Sequence, residues 1–371
     1  MHADTPVFPS SASSSAAQAG SASAPDHAPS CGDPRGSAGE PLTIAILGDE
    51  AAYRRLVPGN PWLESERCVF LGRGASAEEV LAAAPDADVI LSDVVAPVPA
   101  ALIEGLPRLR LINSEGVGFD RIDCAAAAAR GVFVCNNQGM NAGAVAEQTI
   151  LLMLGLLRSV VAGDAAVRTG RQMEAKIAGM RRGITDLADC TVGLVGLGCI
   201  GQAVAERLRA FGTRVVYGGG HGRKDAALEA GLGVTYLPLD ELLATCDFMS
   251  LHCAVTPETT GMVDAAFLAK MRPDAYLVNT ARGELVDNGA LAAALTAGRI
   301  AGAGLDTVAP EPVTADNPLV NLPAEAASRV LFSPHVGGIT TGSLRRGQLH
   351  MWENVGRIKR GERPTCVVNG I

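Results

Sequence analysis

The stretch Gly196-Leu197-Gly198-Cys199-Ile200-Gly201 decides how the rest of this chain is interpreted. It follows an apolar run, 191–195, that is typical of a buried strand, and it opens a segment of helical composition, 200–211. Glycines at this spacing allow a tight turn and a close approach of the backbone to a pyrophosphate, and the helix N-terminus favours phosphate. Strand, turn and helix follow one another in the required order. The sequence therefore predicts a dinucleotide site that uses Gly196, Gly198, Cys199, Ile200 and Gly201.

The residues after the next predicted strand, 214–217, depart from the usual pattern. An acidic residue at this point normally binds the ribose 2′-hydroxyl of NAD and repels the 2′-phosphate of NADP. Here the segment is glycine-rich and basic, and it contains Gly218, His221, Arg223 and Lys224. We therefore expect these four residues to line the cofactor site and NADPH to be accepted at least as well as NADH. The open alternative is a solvated loop whose basic residues contact nothing.

Short apolar runs alternate with helical segments on both sides of this motif. Strands are predicted at 43–47, 88–92, 109–113 and 132–135, and again at 191–195, 214–217, 248–251, 276–279, 301–305 and 330–332. A long helical segment at 143–162 separates the two series, and another helix is predicted at 343–360. Strand–helix–strand order implies right-handed crossovers and parallel pairing. The predicted fold class is α/β, with two doubly wound parallel-sheet domains.

Composition excludes several classes of partner. The 371 residues carry a net charge of −8, and aromatic residues make up only 4%. An acidic chain does not attract nucleic acid or anionic lipid, and few aromatic residues are available to stack on bases. The longest apolar stretch, 150–157, is too short to span a bilayer and is expected to be a buried helix. We expect no nucleic-acid partner and no membrane partner.

The cysteines and the first forty residues indicate the cellular compartment of the protein. The nine cysteines are scattered, without a Cys-x-x-Cys pair or a His at metal-ligand spacing, which predicts reduced thiols in a cytoplasm and no metal site. Residues 1–40 are mostly Ala, Ser, Gly and Pro and contain no apolar stretch of the secretory type. They are interpreted as a disordered tail.

Seven further segments give the chain a specific resemblance. They are Gly116–Asp120 with Ile122-Asp123, Val145-Ala-Glu147, Leu251–Thr259, Asn279–Gly283, Gly304-Leu-Asp306, Pro310-Glu-Pro312 and Ser333–Gly337. Together with the glycine motif they resemble the D-isomer-specific 2-hydroxyacid dehydrogenases over nearly the whole range from Pro41 to Ile371. The resemblance implies hydride transfer between NAD or NADP and a small 2-keto or 2-hydroxy acid.

The same resemblance implies a domain plan. A flavodoxin-like substrate domain would consist of residues 41–140 and 336–371, and a Rossmann nucleotide domain, 141–335, would be inserted into it. The substrate would then lie in the cleft between the two domains. Family members usually pair through their nucleotide domains, so a homodimer is expected.

Three residues match the catalytic set of this family. Arg282 would hold the substrate carboxylate with its planar guanidinium and polarise the adjacent carbonyl. His335 would be the general acid and base, because imidazole gains and loses a proton near working pH. Glu311 would pair with His335 and orient the ring.

The remaining site residues are also carried over from the family. The backbone amides of Val117 and Gly118 would bind the substrate carboxylate. Asp306 would contact the nicotinamide carboxamide, and Thr280, Ala281 and Gly337 would line the cofactor through their backbone. His252 is interpreted as structural rather than catalytic.

The segment 91–98 narrows the substrate class. Relatives that act on phosphoglycerate carry a basic Arg-Ser loop at this place, whereas Leu91-Ser-Asp-Val-Val-Ala-Pro-Val98 contains no cation. The sequence also ends at Ile371, from which no regulatory domain is expected. Glyoxylate or hydroxypyruvate is therefore favoured, and phosphoglycerate dehydrogenase is the alternative within the enzyme class. A different class also stays open, because some relatives with this fold are nucleotide-sensing corepressors.

Overall fold

Two parallel sheets organise the computed structural model, which describes residues 40–220 and 222–371. The first sheet has the strand order β2-β1-β3-β4-β5, the flavodoxin-like order. Its strands are β1 (Thr43–Leu47), β2 (Arg67–Phe70), β3 (Val89–Ser92), β4 (Leu111–Ser114) and β5 (Phe133–Cys135). Strands β1, β3 and β4 are buried throughout, as expected for a parallel sheet covered on both faces.

The second sheet has seven parallel strands in the order β12-β11-β10-β9-β6-β7-β8. They are β6 (Thr191–Val195), β7 (Arg214–Gly218), β8 (Val234–Tyr236), β9 (Phe248–Leu251), β10 (Tyr276–Asn279), β11 (Gly302–Leu305) and β12 (Val330–Phe332). The strand order reverses between β6 and β9, and ligands of open α/β sheets bind at such a point, beyond the carboxyl ends of the strands. The predicted fold class, two doubly wound α/β domains, is confirmed.

Helices cover both sheets. Those packed around the first sheet and leading to the second are α1 (Glu50–Leu56), α2 (Trp62–Ser65), α3 (Ala77–Ala83), α4 (Ala100–Gly105), α5 (Cys124–Ala129), α6 (Ala142–Arg158), α7 (Val160–Arg168) and α8 (Gln172–Arg182). Those that follow are α9 (Cys199–Ala210), α10 (Ala226–Leu232), α11 (Leu239–Thr245), α12 (Ala265–Lys270), α13 (Asn288–Thr296), α14 (Ala324–Ala327) and α15 (Thr341–Lys359). Although α15 comes last in the chain, its Met351 and Trp352 lie in the core of the first sheet.

Two strands were not predicted from the sequence, and the end of one predicted helix was misplaced. The missed strands, β2 and β8, are short edge strands with partly exposed residues, so they lack the continuous apolar run that marks a central strand. The single helix predicted over 143–162 was wrong, because Ser159 adopts a left-handed conformation (φ 47°) that ends α6 and begins α7. The predicted tail over 1–40 lies outside the described residues, except for Glu40.

Among the described residues, no single helix has the length and hydropathy needed to cross a membrane. By these two criteria only the bent pair α6 and α7 passes, with an angle of 56° between its halves. Most residues of α6 are buried against the second sheet, where Leu152, Met153 and Leu156 join its core.

Candidate active site

The glycine motif forms the turn from β6 into α9. Gly196 has φ 98°, and a Cβ there would lie 2.8 Å from the carbonyl oxygen of His252. A Cβ at Gly201 would lie 2.5 Å from the carbonyl oxygen of Gly196, so neither position accommodates a side chain. Gly198, by contrast, is the N-cap of α9, has open space where a Cβ would stand, and leaves the helix without a side-chain cap. This cradle fits the pyrophosphate of a dinucleotide, which the free amides of the first turn would bind.

The predicted basic loop after β7 is held by a buried carboxylate. Arg223 contacts Glu229 of α10 through Nη2 and Oε2 (2.9 Å) and through Nε and Oε1 (3.1 Å). Tyr217 donates its hydroxyl to Glu229 Oε1 (2.6 Å) and accepts a hydrogen bond from the Lys224 amide (2.7 Å). The Arg223 guanidinium lowers the pKa of Glu229. Arg223 therefore already has an anionic partner, although its side chain is 67% exposed, and sequence reasoning did not identify Glu229.

His221 and Gly218 were also predicted to line the cofactor site. His221 lies outside the described residues. Gly218 ends β7, and a Cβ there would overlap the carbonyl oxygen of Leu237. The glycine at 218 is therefore required by packing of the chain itself.

Arg282 follows β10 and reaches across to the loop after β4. Asn279 shapes the turn, since its side chain accepts from the Ala281 amide (3.0 Å) and donates to the Arg282 carbonyl (2.8 Å). Arg282 Nη2 lies 3.6 Å from the position that a Cβ of Gly118 would occupy. Its Nη1 donates to the Ala281 carbonyl (2.8 Å), and within 40–220 and 222–371 its Nε and Nη2 have no partner. Two donors therefore remain for a ligand beside Gly118.

The loop that carries Val117 and Gly118 is fixed through its carbonyl groups. Ser114 donates to the Gly118 carbonyl (2.6 Å), and Asn136 donates to the Val117 carbonyl (2.7 Å). The amides of Val117 and Gly118 have no hydrogen-bond partner in the described part of the chain. The loop therefore presents two free backbone donors near Arg282. Sequence reasoning missed Ser114 and Asn136, because a polar residue at a strand end gives no sign of its partner.

His335 and Glu311 form the predicted pair. His335 Nδ1 lies 2.8 Å from Glu311 Oε2, and both side chains are half-exposed. His335 has φ 55°, an uncommon conformation for a residue other than glycine. Its Nε2 has no partner among the described residues, so one ring nitrogen is oriented by a carboxylate and the other remains for proton transfer.

Asp306 braces the turn that carries His335. Its buried carboxylate accepts from the Ser333 hydroxyl (2.5 Å), the Val336 amide (3.1 Å) and the Gly337 amide (2.9 Å). Its carbonyl oxygen accepts from the His335 amide (2.9 Å). A contact of Asp306 with nicotinamide stays a prediction, whereas its role in holding the histidine turn is direct.

The other predicted residues lie around the same sheet edge. The Thr280 hydroxyl is buried and lies 2.9 Å from the Thr149 hydroxyl of α6, so only the backbone of Thr280 is left to line a cofactor. Cys199 is exposed at the start of α9. His252 is half-buried with its Nδ1 shielded from solvent, and burial of the ring lowers its pKa to about 4, so it is neutral at pH 7. Its structural role stays a prediction. No cluster of three or more His, Cys, Asp or Glu suited to a metal was found in the described ranges.

The fold and the residues at the ends of the strands define a class: a two-domain α/β protein with a glycine turn into a helix in one domain and a loop with two free backbone amides in the other. Residues 150–337 match the family model for the D-isomer specific 2-hydroxyacid dehydrogenase, NAD binding domain. The chain belongs to the D-isomer specific 2-hydroxyacid dehydrogenase family.

The chain is similar to relatives with two different curated names. The chain is 38% identical over 294 residues to a glyoxylate reductase from Korarchaeum cryptofilum, an alignment that covers 79% of this chain and 86% of that one. It is also 38% identical over 329 residues to the D-3-phosphoglycerate dehydrogenase of Mycobacterium tuberculosis. That alignment covers 89% of this chain but only 57% of the relative, so the chain spans little more than half of the mycobacterial protein.

A solved structure agrees in fold. The D-lactate dehydrogenase of Lactobacillus jensenii, determined with NAD+, superposes with a TM-score of 0.74 at 27% identity and covers 88% of this chain and 99% of its own. The names of these relatives describe enzymes, so the comparisons do not favour the corepressor-like alternative.

Proposed function

We propose that the protein transfers hydride between a nicotinamide dinucleotide and the C2 carbon of a small 2-keto or 2-hydroxy acid. One observation carries the proposal: Arg282, from the turn after β10, lies against Gly118, whose loop offers two free amides. A carboxylate bound there would receive charge-assisted hydrogen bonds from both sides of the cleft.

In reduction, Arg282 and the amides of Val117 and Gly118 hold the substrate carboxylate and fix the carbonyl carbon. When bound, the dinucleotide supplies the hydride that reaches C2. His335 gives a proton from Nε2 to the oxygen that becomes the hydroxyl, so the product gains one hydride and one proton. Glu311 orients the ring and stabilises the imidazolium before transfer. In oxidation His335 accepts the same proton.

Among substrates we propose a small unphosphorylated acid such as glyoxylate or hydroxypyruvate. The loop after β3 supports this choice, since Val94 and Val95 are exposed on it, its own residues include no cation, and the neighbouring Arg73 is paired with Asp93 (3.1 Å). Oxidation of 3-phosphoglycerate is a second candidate, supported by 38% identity to the mycobacterial enzyme.

A panel assay tests the proposed activity. Glyoxylate, hydroxypyruvate, pyruvate and 3-phosphohydroxypyruvate are each assayed with NADH and with NADPH. We expect the highest kcat/KM with glyoxylate or hydroxypyruvate. Strong turnover of the phosphorylated acid with none of glyoxylate would reverse the choice of substrate, and no turnover of any acid would reject the enzyme assignment.

We also propose that NADPH is accepted at least as well as NADH. The absence of an acidic side chain at Gly218 and the presence of Arg223 and Lys224 within seven residues of it support this. A wild-type enzyme that strongly prefers NADH in the same panel would contradict it.

Finally, we propose a cytoplasmic homodimer. Apolar side chains are exposed on α6, α7, α8 and the segment after α8: Leu151, Val160, Val161, Val167, Met173, Ile177, Met180 and Ile184. Neighbouring exposed apolar groups of this kind mark protein interfaces. We expect a dimer mass in light scattering at micromolar concentration and a monomer mass for the double variant V161E/M180E. A monomeric wild type would refute the dimer.

A further inference from the structure

Glu115 is an acidic residue beside the substrate loop that the proposed mechanism does not use. It follows β4 and directly precedes Gly116, Val117 and Gly118. Its backbone is fixed on both sides, because its amide donates to the Ser92 carbonyl (2.8 Å) and its carbonyl accepts from Asn137 Nδ2 (2.7 Å). Any displacement of Glu115 therefore displaces the loop that follows it.

The side chain of Glu115 lies against Gly48, the residue that follows β1. A Cβ at Gly48 would lie 2.8 Å from Glu115 Oε1 and 3.0 Å from the ring of Tyr53, so the three residues are in close contact. Glu115 Oε1 is shielded from solvent and has no hydrogen-bond partner among the described residues. Burial of a carboxyl oxygen without a hydrogen-bond partner favours the neutral form over the ionised form.

The charges that face Glu115 come from three segments. Asp49 caps α1, Asp93 follows β3, and Arg73 follows β2 and pairs with Asp93 (3.1 Å). Burial raises the pKa of Glu115 to about 7. The two aspartates add to the rise, and Arg73 and the Tyr53 hydroxyl oppose it. The protonated and ionised forms of Glu115 are therefore both populated near neutral pH.

We propose that Glu115 is a positioning residue: its neutral carboxyl, seated between Gly48 and Tyr53, keeps the amides of Val117 and Gly118 in the geometry that binds the substrate carboxylate. Ionisation places a negative charge near Asp93 on a carboxylate whose Oε1 has no hydrogen-bond partner, which drives the side chain towards water and moves the loop with it. This inference rests on the proposed function, because it assigns Glu115 to the same carboxylate site.

The sign of the effect follows from the raised pKa. Below pH 7 Glu115 is neutral and the loop is in place, and as pH rises through 7 the KM for the keto acid increases. If the ionised form binds substrate poorly, KM rises about tenfold between pH 6 and pH 8, as expected for one group that titrates near 7. The value of kcat is unaffected by this group, because substrate that binds meets the same His335.

The first test compares Glu115→Gln with wild type and with Glu104→Gln, which removes an exposed carboxyl from α4. KM for glyoxylate is measured from pH 6 to pH 8. The ratio of the wild-type KM to the E115Q KM is expected to be near one at pH 6 and about ten at pH 8. The three proteins share every residue of the proposed mechanism, so any pH dependence common to them cancels in the ratio. A ratio that does not change with pH would overturn the proposal.

Arg73→Gln provides a second variant that leaves Glu115 in place. Arg73 is 63% exposed and opposes the raised pKa, so its loss moves the midpoint of the KM rise to higher pH. A midpoint that stays in place would contradict a role for Glu115 ionisation.

A third measurement does not depend on turnover. Hydrogen exchange of peptides that cover 115–118 is followed in wild type and E115Q, with rates corrected for intrinsic base catalysis. Protection is expected to fall between pH 6 and pH 8 only in wild type. If protection changes equally with pH in both proteins, the inference is overturned, even if no keto acid proves to be a substrate. It is also overturned if wild type loses protection between pH 6 and pH 8 but its KM does not change.

Discussion

Two pairs of a basic and an acidic side chain, His335 with Glu311 and Arg223 with Glu229, differ in which partner faces solvent. In the pair of His335 and Glu311, both side chains are similarly exposed, 43% and 45%. In the pair of Arg223 and Glu229, the arginine is 67% exposed whereas the side chain of Glu229 is only 10% exposed. An exposed carboxylate can respond to a change of charge on its partner. A buried one that also binds Tyr217 is fixed in place.

The difference in exposure between Glu311 and Glu229 indicates that the two pairs have different roles. Glu311 holds an imidazole that must gain and lose a proton, so its partner needs access to substrate. Glu229 holds a guanidinium that never loses its proton, so it acts on position and net charge alone. We therefore expect changes in the first pair to affect kcat and changes in the second to affect cofactor KM.

The largest effect is expected from His335→Asn. Asparagine tolerates the left-handed conformation of this position better than most residues, so the turn on Asp306 should persist. Loss of the general acid should lower kcat by about 10²- to 10⁴-fold. Steady-state kinetics and cofactor titration by fluorescence check this. Wild-type kcat would exclude His335 as the proton donor, and loss of cofactor binding would show a structural defect instead.

Glu311→Gln should have a smaller effect on the same step. Without the carboxylate the imidazole ring is no longer held by the 2.8 Å contact, so bound substrate meets Nε2 in the reactive position less often. We expect kcat for reduction at neutral pH to fall about tenfold, corresponding to about 1.4 kcal/mol. A kcat for E311Q equal to that of wild type would mean that the 2.8 Å contact has no role in proton transfer.

The pair of His335 and Glu311 was predictable from sequence because each residue stands in a short motif after a strand. Ser333–Gly337 follows β12, and Pro310-Glu-Pro312 follows β11. Parallel strands bring such loops to one sheet edge, and the resemblance to the family identified the two residues as a pair. The same reasoning located Arg282 after β10 and Gly118 after β4.

Glu229 was not predictable in this way. It lies in the middle of α10, a helix that the sequence analysis did not identify, and its partners Tyr217 and Arg223 lie twelve and six residues before it. A glutamate in a helix is usually a solvated residue, and only the packing of α10 on β7 buries it. Glu115 was missed for the same reason, since its environment is made by β1, β3 and α1.

Arg223→Ala tests whether Arg223 contacts the 2′-phosphate of NADPH. We expect KM for NADPH to rise about tenfold, because a charge-assisted hydrogen bond to a phosphate contributes on the order of 1.5 kcal/mol. KM for NADH should change less than twofold, and it serves as the internal control. Equal changes for both cofactors would show that Arg223 orders the loop rather than contacting the 2′-phosphate.

Glu229→Gln gives the smallest effect, because two consequences oppose each other. Removing the carboxylate releases Arg223 from its partner and leaves its charge for a 2′-phosphate, an attraction of about 1 kcal/mol between charges 4 Å apart in water. It also weakens the hydrogen bonds that hold Tyr217 and, through it, the Lys224 amide. We expect the released charge to dominate, with KM for NADPH falling about threefold and KM for NADH unchanged.

The pH dependence of stability distinguishes these two roles of Glu229. Its pKa is lowered in the folded protein, so its contribution to stability is present above the unfolded pKa and is lost as pH falls through the folded one. Wild type should therefore resist urea better than E229Q at pH 7, and the difference should shrink as the pH falls below the unfolded pKa of a glutamate. A KM for NADPH that rises in E229Q, with the same stability difference, would mean that Glu229 places Arg223 for the phosphate rather than competing with it.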